Sequence, residues 1–272
     1  MNLHSKEVAI KRPKPPNLDE TDFISKLHDS LLLQILSLLP QSDATRTRIL
    51  SNRWKNLCSF LPNLHFVMPF CSNIEQVNKF HDSVDQTLAL RGGIPIPHLK
   101  VQTGGGDFHV AQLVTCLSNV KVLTLNDSTL TAFINVHNLD MPVFPNLVEF
   151  AIGLDVFCSW SMLPTFFNKM PNVEHITFLK GFLPFPHAQH IYTMRWNPPV
   201  EVPTCLRFKM KKITIKNRET VTPEELKLIS YMLKHANHLE ILTINAHKID
   251  PKTRGQVLKF YRGSKSCRIE FV

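Results

Sequence analysis

The sequence predicts an α/β protein. A small N-terminal unit of three short helices comes first, then a short solenoid in which helix and strand recur, closed by a basic C-terminal unit. Three observations carry this reading. Leucines and isoleucine cluster at helical spacing between Leu27 and Leu39 and stop at Pro40. One short phrase, aliphatic-x-x-aliphatic-x-aliphatic, recurs between residues 120 and 244. Amphipathic helices stand before three of its copies. With 272 residues, 43% hydrophobic and 19% charged, the chain can bury a core and is not disordered overall. The divisions expected are 1–18 as a disordered basic N-terminus, 19–61 as the helical unit, 62–200 as the repeat region and 201–272 as the C-terminal unit.

The first unit is built around one helix. Leu27, Leu31, Ile35 and Leu38 fall at i, i+4, i+8 and i+11 on one face, and Leu32, Leu36 and Leu39 make an adjoining stripe. Together they exceed the apolar arc of an ordinary surface helix, about 100° wide, so cover from two sides is expected. Pro40 stops the helix. Ser42 and Asp43 are placed to cap a second short helix running through Arg48. Ser51 is placed to start a third, with Trp54 and Leu57 on one face.

Beyond it, Ile74, Val77, Phe80, Val84 and Leu88 form a helical face opened by Asn73 and ended at Gly92-Gly93. Val110, Leu113, Val114 and Leu117 form another behind Asp107. Leu163, Phe166, Phe167 and Met170 form a third, with Pro164 near its start. Thr222-Pro223-Glu224-Glu225 reads as a capping box with proline at the first helical position, and Leu226, Ile229, Leu233 and Ala236 line one side.

The recurring phrase begins at Val120, Leu147, Val173, Met210 and Leu239, and four copies follow an asparagine closely: Asn119, Asn146, Asn172 and Asn237. Its last two apolar positions alternate with a polar or small residue, as in a strand with one buried face. The intervals of 27, 26, 37 and 29 residues lie at or near the ~20–29-residue period of leucine-rich repeats, apart from the third. That interval holds the proline-rich stretch from Gly181 to Pro203, read as an inserted loop.

Several function classes are disfavoured. The net charge of +9 is uneven: residues 201–272 hold 15 Lys/Arg against 7 Asp/Glu. The six cysteines, Cys58, Cys71, Cys116, Cys158, Cys205 and Cys267, are irregularly spaced without a C-x-x-C, which fits buried thiols in a reducing compartment. The N-terminal segment lacks the apolar core of a secretory leader. The leucine-rich run ending at Pro40 is shorter than the ~20 residues a membrane span needs, so no membrane association is expected. Lys11-Arg12-Pro13-Lys14 matches a short basic import signal, a pattern that also arises by chance. Thr103-Gly104-Gly105-Gly106-Asp107 lacks the lysine and spacing of phosphate-binding loops and reads as a turn. His187/His190 and His235/His238 have no partners at ligand spacing, so no metal and no cofactor are expected.

Asp22-Phe23-Ile24, Leu27, Leu31-Leu32, Ile35-Leu36, Leu38-Leu39-Pro40, Asp43-Ala44, Arg46-Thr47, Leu50-Ser51, Arg53-Trp54 and Leu57 together resemble the F-box. His28 stands where that family usually has proline. In the tail, Trp196-Asn-Pro198-Pro199, Val202-Pro203-Thr-Cys205-Leu206, Glu224-Glu225-Leu226, Tyr231, Leu233-Lys234, Leu239-Glu240 and Ser266-Cys267-Arg-Ile269-Glu-Phe271 resemble the FBD domain. That domain closes many plant F-box and leucine-rich-repeat proteins. The resemblance implies an N-terminal three-helix F-box, a short leucine-rich-repeat-like solenoid and an FBD-type C-terminal unit.

It also implies a non-catalytic role as the substrate-recognition subunit of an SCF-type ubiquitin ligase. The F-box would dock a Skp-type adaptor, and through it cullin and RING subunits, in the cytoplasm or nucleus. The candidate adaptor-facing residues are Leu27, Leu31, Leu32, Ile35, Leu36, Leu39, Ile49, Leu50, Trp54 and Leu57, a set that also contains ordinary core. Candidate target-binding positions on the strands are Lys121, Thr124, Glu149, His175 and Thr177. The rival reading is an interaction protein that binds nucleic acid or an acidic partner through Phe208, Lys209, Lys211, Lys212, Lys216 and Arg218. Lysines on an exposed strand also serve simply to protect a sheet edge.

Overall fold

The computed structural model describes residues 22–68, 74–92, 94–103, 119–130, 142–154, 163–179, 196–216, 221–245 and 249–272. These divide into two compact units, Met1–Cys58 and Ser59–Val272.

The first unit is helical. Helix α1 (Asp29–Leu38) begins at His28, whose φ of −65° and ψ of 147° lie where proline's ring would hold φ. The turn that proline usually sets is therefore kept by histidine. Pro40 follows the helix end, as expected. Helix α2 (Gln41–Arg46) starts earlier than the sequence implied. Pro40 is its N-cap, so the helix begins before Ser42 and Asp43 rather than behind them. Proline's fixed φ suits a helix start and its missing N–H costs nothing there. A 3-10 turn (Thr47–Ile49) leads on to α3 (Asn52–Ser59). Ser51 Oγ accepts from the Trp54 N–H at 3.4 Å, so the expected start is observed.

Arg53 ties α3 to the chain entering α1. Its Nε and Nη2 donate to Asp29 Oδ1 at 2.8 and 2.6 Å, and its Nη1 donates to the Ser25 carbonyl at 2.6 Å. Leu32 and Leu36, one helical turn apart, are buried, as are Ala44, Trp54, Leu57 and Cys58.

The second unit is a single eight-stranded sheet. The strands are β1 (Asn63–Met68), β2 (His98–Thr103), β3 (Val122–Leu125), β4 (Glu149–Ile152), β5 (His175–Phe178), β6 (Lys212–Lys216), β7 (Ile241–Asn245) and β8 (Arg268–Phe271). They lie in chain order and every pairing is parallel. The register stacks the phrase upon itself. Leu64, Leu99, Leu123, Phe150, Ile176, Ile213, Leu242 and Ile269 form one row across the sheet. Phe66, Val101, Leu125, Ile152, Phe178, Ile215, Ile244 and Phe271 form the next. From Leu99 to Ile244 every member of both rows is buried. A parallel sheet needs cover on its apolar face, and the described helices α4 (Ile74–Arg91), α5 (Leu163–Lys169), α6 (Thr204–Phe208), α7 (Pro223–His235) and α8 (Pro251–Leu258) lie between strands in the chain. Buried Val84, Phe166, Leu206, Leu233 and Val257 join the strands in one core.

The asparagines and the residue before each strand explain the period. Asn146 Nδ2 donates to Asn119 Oδ1 at 3.4 Å, and Asn172 Nδ2 to the Pro145 carbonyl at 2.8 Å. Each carbonyl of Pro97, Lys121, Val148, Glu174 and Lys211 accepts two successive N–H groups from the start of the next strand. One phrase thus adds one rung.

The capping box at Thr222 is present. The Thr222 side chain accepts from the Glu225 N–H, and the Glu225 side chain accepts from the Thr222 N–H. The helix foreseen from Ile74 runs to Arg91 and ends at Gly92, whose φ of +53° favours glycine. Leu163–Lys169 is helical as expected. The Asp107 helix, the glycine turn at 104–106, His187 and His190, Arg218, the basic run at 11–14, and the thiols Cys71, Cys116 and Cys158 lie outside the described residues.

Three strands escape the five-copy reading. Leu61, Leu64 and Phe66 and then Ile96, Leu99 and Val101 are two further copies of the phrase, which enter β1 and β2; the third strand is β8. Two short helices also escape it, α6 and α8, although Asp250-Pro251 is an N-cap signature: Asp250 Oδ1 accepts from the Thr253 N–H at 2.9 Å.

Candidate interaction surfaces

Helix α1 carries two apolar stripes with different fates. Leu32 and Leu36 are 0% and 1% exposed, whereas Leu31, Ile35 and Leu38 are 46%, 42% and 85% exposed. Leu39 and, beyond α2, Ile49 and Leu50 are exposed as well, and so are Phe23 and Ile24 ahead of the helix. The helical period causes the split. The stripe at 31, 35 and 38 is rotated by about 100° from that at 32 and 36, and the latter packs inward. The sequence-derived set therefore divides. Leu31, Ile35, Leu39, Ile49 and Leu50 are available to a partner, and Leu27 is half-buried. Leu32, Leu36, Trp54 and Leu57 are buried and so inaccessible in this conformation. Leu38, Phe23 and Ile24 belong with the exposed set but were not in it. For Leu38 the signal was the helical stripe itself, which contains it; Phe23 and Ile24 lie ahead of the helix.

The second surface is the sheet face opposite the core. Between the buried rows, Thr124, Ala151, Thr177, Thr214 and Thr243 form one outward row. Val122, Glu149, His175, Lys212 and Ile241 form the row beside it. Four of the five sequence-derived target positions, Thr124, Glu149, His175 and Thr177, thus share one face. Lys121 does not lie on a strand; it sits one residue before β3, with its side chain exposed. Thr214, Thr243 and Lys212 extend the same rows, a property of register that a single strand does not display.

This face is electrostatically mixed. His175 Nδ1 lies 3.3 Å from Glu149 Oε1. At the strand entries Lys211 Nζ donates to Glu174 Oε2 at 2.8 Å. That hydrogen bond is the main cause that holds the Glu174 carboxyl below its ordinary value and raises the Lys211 ammonium above its own. His65 meets Gln102 Oε1 at 3.0 Å, and burial holds its pKa below the usual histidine value. The proposed basic contact set is thereby broken up. Lys211 is engaged by Glu174, Lys212 and Lys216 lie on the strand face, and Phe208 and Lys209 lie at the end of α6. Among the described residues no three His, Cys, Asp or Glu side chains gather as a metal site. No helix among them is long and apolar enough to cross a membrane.

Comparison with known proteins finds two domain families. The family model described as F-box domain matches residues 24–66, and the one described as FBD matches residues 197–244. Among curated relatives from Arabidopsis thaliana, an F-box/LRR-repeat protein is 31% identical over 146 residues, 52% of this chain and 28% of that protein. A protein named for F-box, FBD and LRR repeats is 34% identical over 136 residues, 50% of this chain and 29% of its own length. One named as an F-box protein is 40% identical over 145 residues, 48% and 33% respectively. The matches span a third or less of each of these relatives.

Proposed function

From the segments that match the F-box and FBD families, we propose that this chain is the substrate-choosing, non-catalytic subunit of an SCF-type ubiquitin ligase. The observation that carries the reading is the solvent-facing stripe Leu31, Ile35 and Leu38, with Leu39, Ile49 and Leu50, inside the segment that matches the F-box model. An F-box implies a Skp-type adaptor as partner, and this stripe is the apolar surface we assign to it. Exposed apolar groups so gathered mark interaction sites. Full burial of each aliphatic side chain contributes about 1.5–3 kcal/mol before the costs of association. Leu32, Leu36, Trp54 and Leu57 support that surface from beneath.

We read residues 19–61, 62–200 and 201–272 as F-box, repeat region and FBD, with the sequential parallel sheet as a leucine-rich-repeat solenoid. The sheet runs through residue 201 without a break, since β6 pairs with β5, so repeats and FBD would act as one platform. Its outward threonine row, with Glu149 and His175 beside it, is the face we assign to a protein target. Ubiquitin transfer would belong to the cullin-bound subunits, and this chain would supply proximity. Buried free thiols at Cys58, Cys205 and Cys267 suit the reducing cytoplasm or nucleus.

The test is co-purification of the full chain with a Skp-type adaptor. Wild type should retain the adaptor, and Leu31→Glu/Ile35→Glu should lose it while keeping the wild-type circular dichroism. Adaptor retained equally by the variant would refute the assignment of this surface. Absence of adaptor together with salt-sensitive retention of nucleic acid would favour the rival basic-surface reading.

A further inference from the structure

A basic rim lies where α6, α7 and α8 end and the chain enters β6, β7 and β8. Arg207, Lys209, Lys234, Lys259, Lys265 and Arg268 are all exposed there. Among the described residues none of the six makes an ion pair. In the connecting segments 207–212, 234–241 and 259–268 the one carboxylate is Glu240.

The three segments form one surface. The Gly263 N–H donates to the Leu233 carbonyl at 2.9 Å, so the turn after α8 packs on the end of α7. His235 is held below its ordinary value by burial first and then by Lys234 and Arg207, which puts the end of α6 beside that of α7. Register orders the charges. Lys209, His238 and Lys265 each stand four residues before a member of one strand row, Ile213, Leu242 and Ile269. In the earlier rungs that position holds the neutral Asn119, Asn146 and Asn172. Neighbouring strands lie about 4.8 Å apart, so the rim carries its positive positions at a step close to that. Helix ends attract cations, which accounts for Lys234 and Lys259. It does not account for Lys265, seven residues beyond the end of α8, or for Arg268 on β8.

Two aromatic rings stand among these cations. Phe208 is 53% exposed and Tyr261 is 73% exposed, and neither belongs to the core. The Arg207 guanidinium lies 5.2 Å from the Phe208 ring. Exposed rings set in a basic surface are what unpaired bases stack on while the cations follow the phosphates.

We propose that this rim binds single-stranded nucleic acid, its phosphates along Lys209 and Lys265 and its bases on Phe208 and Tyr261. Of the basic set read from the sequence it keeps Phe208 and Lys209, and it replaces the strand lysines by the turn after α8. An acidic protein segment would satisfy the cations but would have no use for the rings, so the rings decide between the two. Neither the α1 stripe assigned to the adaptor nor the threonine row assigned to a target is used, so this site is tested apart from both.

The test follows binding of a fluorescein-labelled oligouridylate to the purified full chain by fluorescence anisotropy. Wild type should bind with a Kd between about 1 and 100 µM at physiological salt, the range of sequence-independent contacts. Lys209→Glu/Lys265→Glu should weaken binding by about tenfold or more. It should also flatten the slope of log affinity on log salt by about 1.4, the contribution of two phosphates of a single strand. Phe208→Ala/Tyr261→Ala should weaken binding by about fivefold or more and leave that slope unchanged, because stacking releases no counterions. Lys79→Glu, at an exposed cation on α4, should bind as wild type does. All variants should keep the wild-type circular dichroism. Absence of saturable binding overturns the proposal, and so does affinity that the aromatic pair does not change. Displacement by poly-L-glutamate as readily as by unlabelled oligonucleotide also overturns it and makes the rim a surface for acidic protein.

Discussion

Arg91 is a buried cation at the end of α4, 3% exposed. Its Nη1 donates to the carbonyls of Ser59 at 2.7 Å and Leu61 at 2.9 Å, its Nη2 to Pro95 at 2.6 Å and its Nε to Ile94 at 3.2 Å. One side chain therefore satisfies the main chain entering β1 and the main chain entering β2. Only the planar guanidinium has enough donors in a fixed fork for this; a lysine head is a compact point with three. Arg91→Met would leave several buried carbonyls unpaired at about 1–3 kcal/mol each, so a loss of at least about 3 kcal/mol is expected. Urea denaturation measures it, and Arg91→Lys should recover only part. A loss below ~1 kcal/mol would mean that water replaces the guanidinium. Nothing in the local sequence marks this residue. Arg91 reads as the basic last turn of a helix, and two of its partners, Ser59 and Leu61, lie 32 and 30 residues back in the chain.

At the scale of the element, α1 separates two jobs that share one composition. Leu36 holds the helices together and Ile35, its neighbour in sequence, faces outward. Leu36→Ala should therefore cost about 2–5 kcal/mol, the range for emptied core sites. Ile35→Ala should cost under ~1 kcal/mol and leave thermal unfolding nearly unchanged, yet weaken adaptor capture. Equal destabilisation by the two would mean that the outward stripe is covered within the chain. The same helix shows how far the sequence can be read. Its period and its stop at Pro40 were legible, because both are local. Which stripe faces inward was not, since packing from outside the helix decides it, and Arg53 of α3 ties down the chain entering α1. The capping box at Thr222 was legible to the residue, again a local signal. The copies entering β1 and β2 obey the same pattern but are harder to see, because proline or histidine interrupts each and neither has the preceding asparagine that marks four of the others. The two outward rows are a property of register and exist only between strands.

At the scale of the whole sheet, each strand of the second unit pairs only with its neighbours in sequence. Such an array is quasi-one-dimensional, with stability close to a sum of units and nearest-neighbour interfaces. β8 protects the last interface. Its Ile269 and Phe271 cover Leu242 and Ile244 in register, the Arg254 guanidinium lies 4.9 Å above the Phe271 ring, and Arg268 N–H donates to the Glu240 carbonyl at 2.9 Å. Removing Cys267 to Val272 should therefore act locally. It strips β7 of its outer partner and exposes the ends of the two buried rows, while β2, β3 and β4 keep every neighbour. Hydrogen exchange on the truncated chain should show amide protection falling in β7 and little changed in β2 to β4. A uniform fall across all strands would show that the sheet opens as one cooperative body and would defeat the nearest-neighbour account. If protection falls only at β7, the outward rows at β3 to β5 are insulated from damage at this edge, and a target bound there, as proposed, would be held by a platform whose end can fray without releasing it.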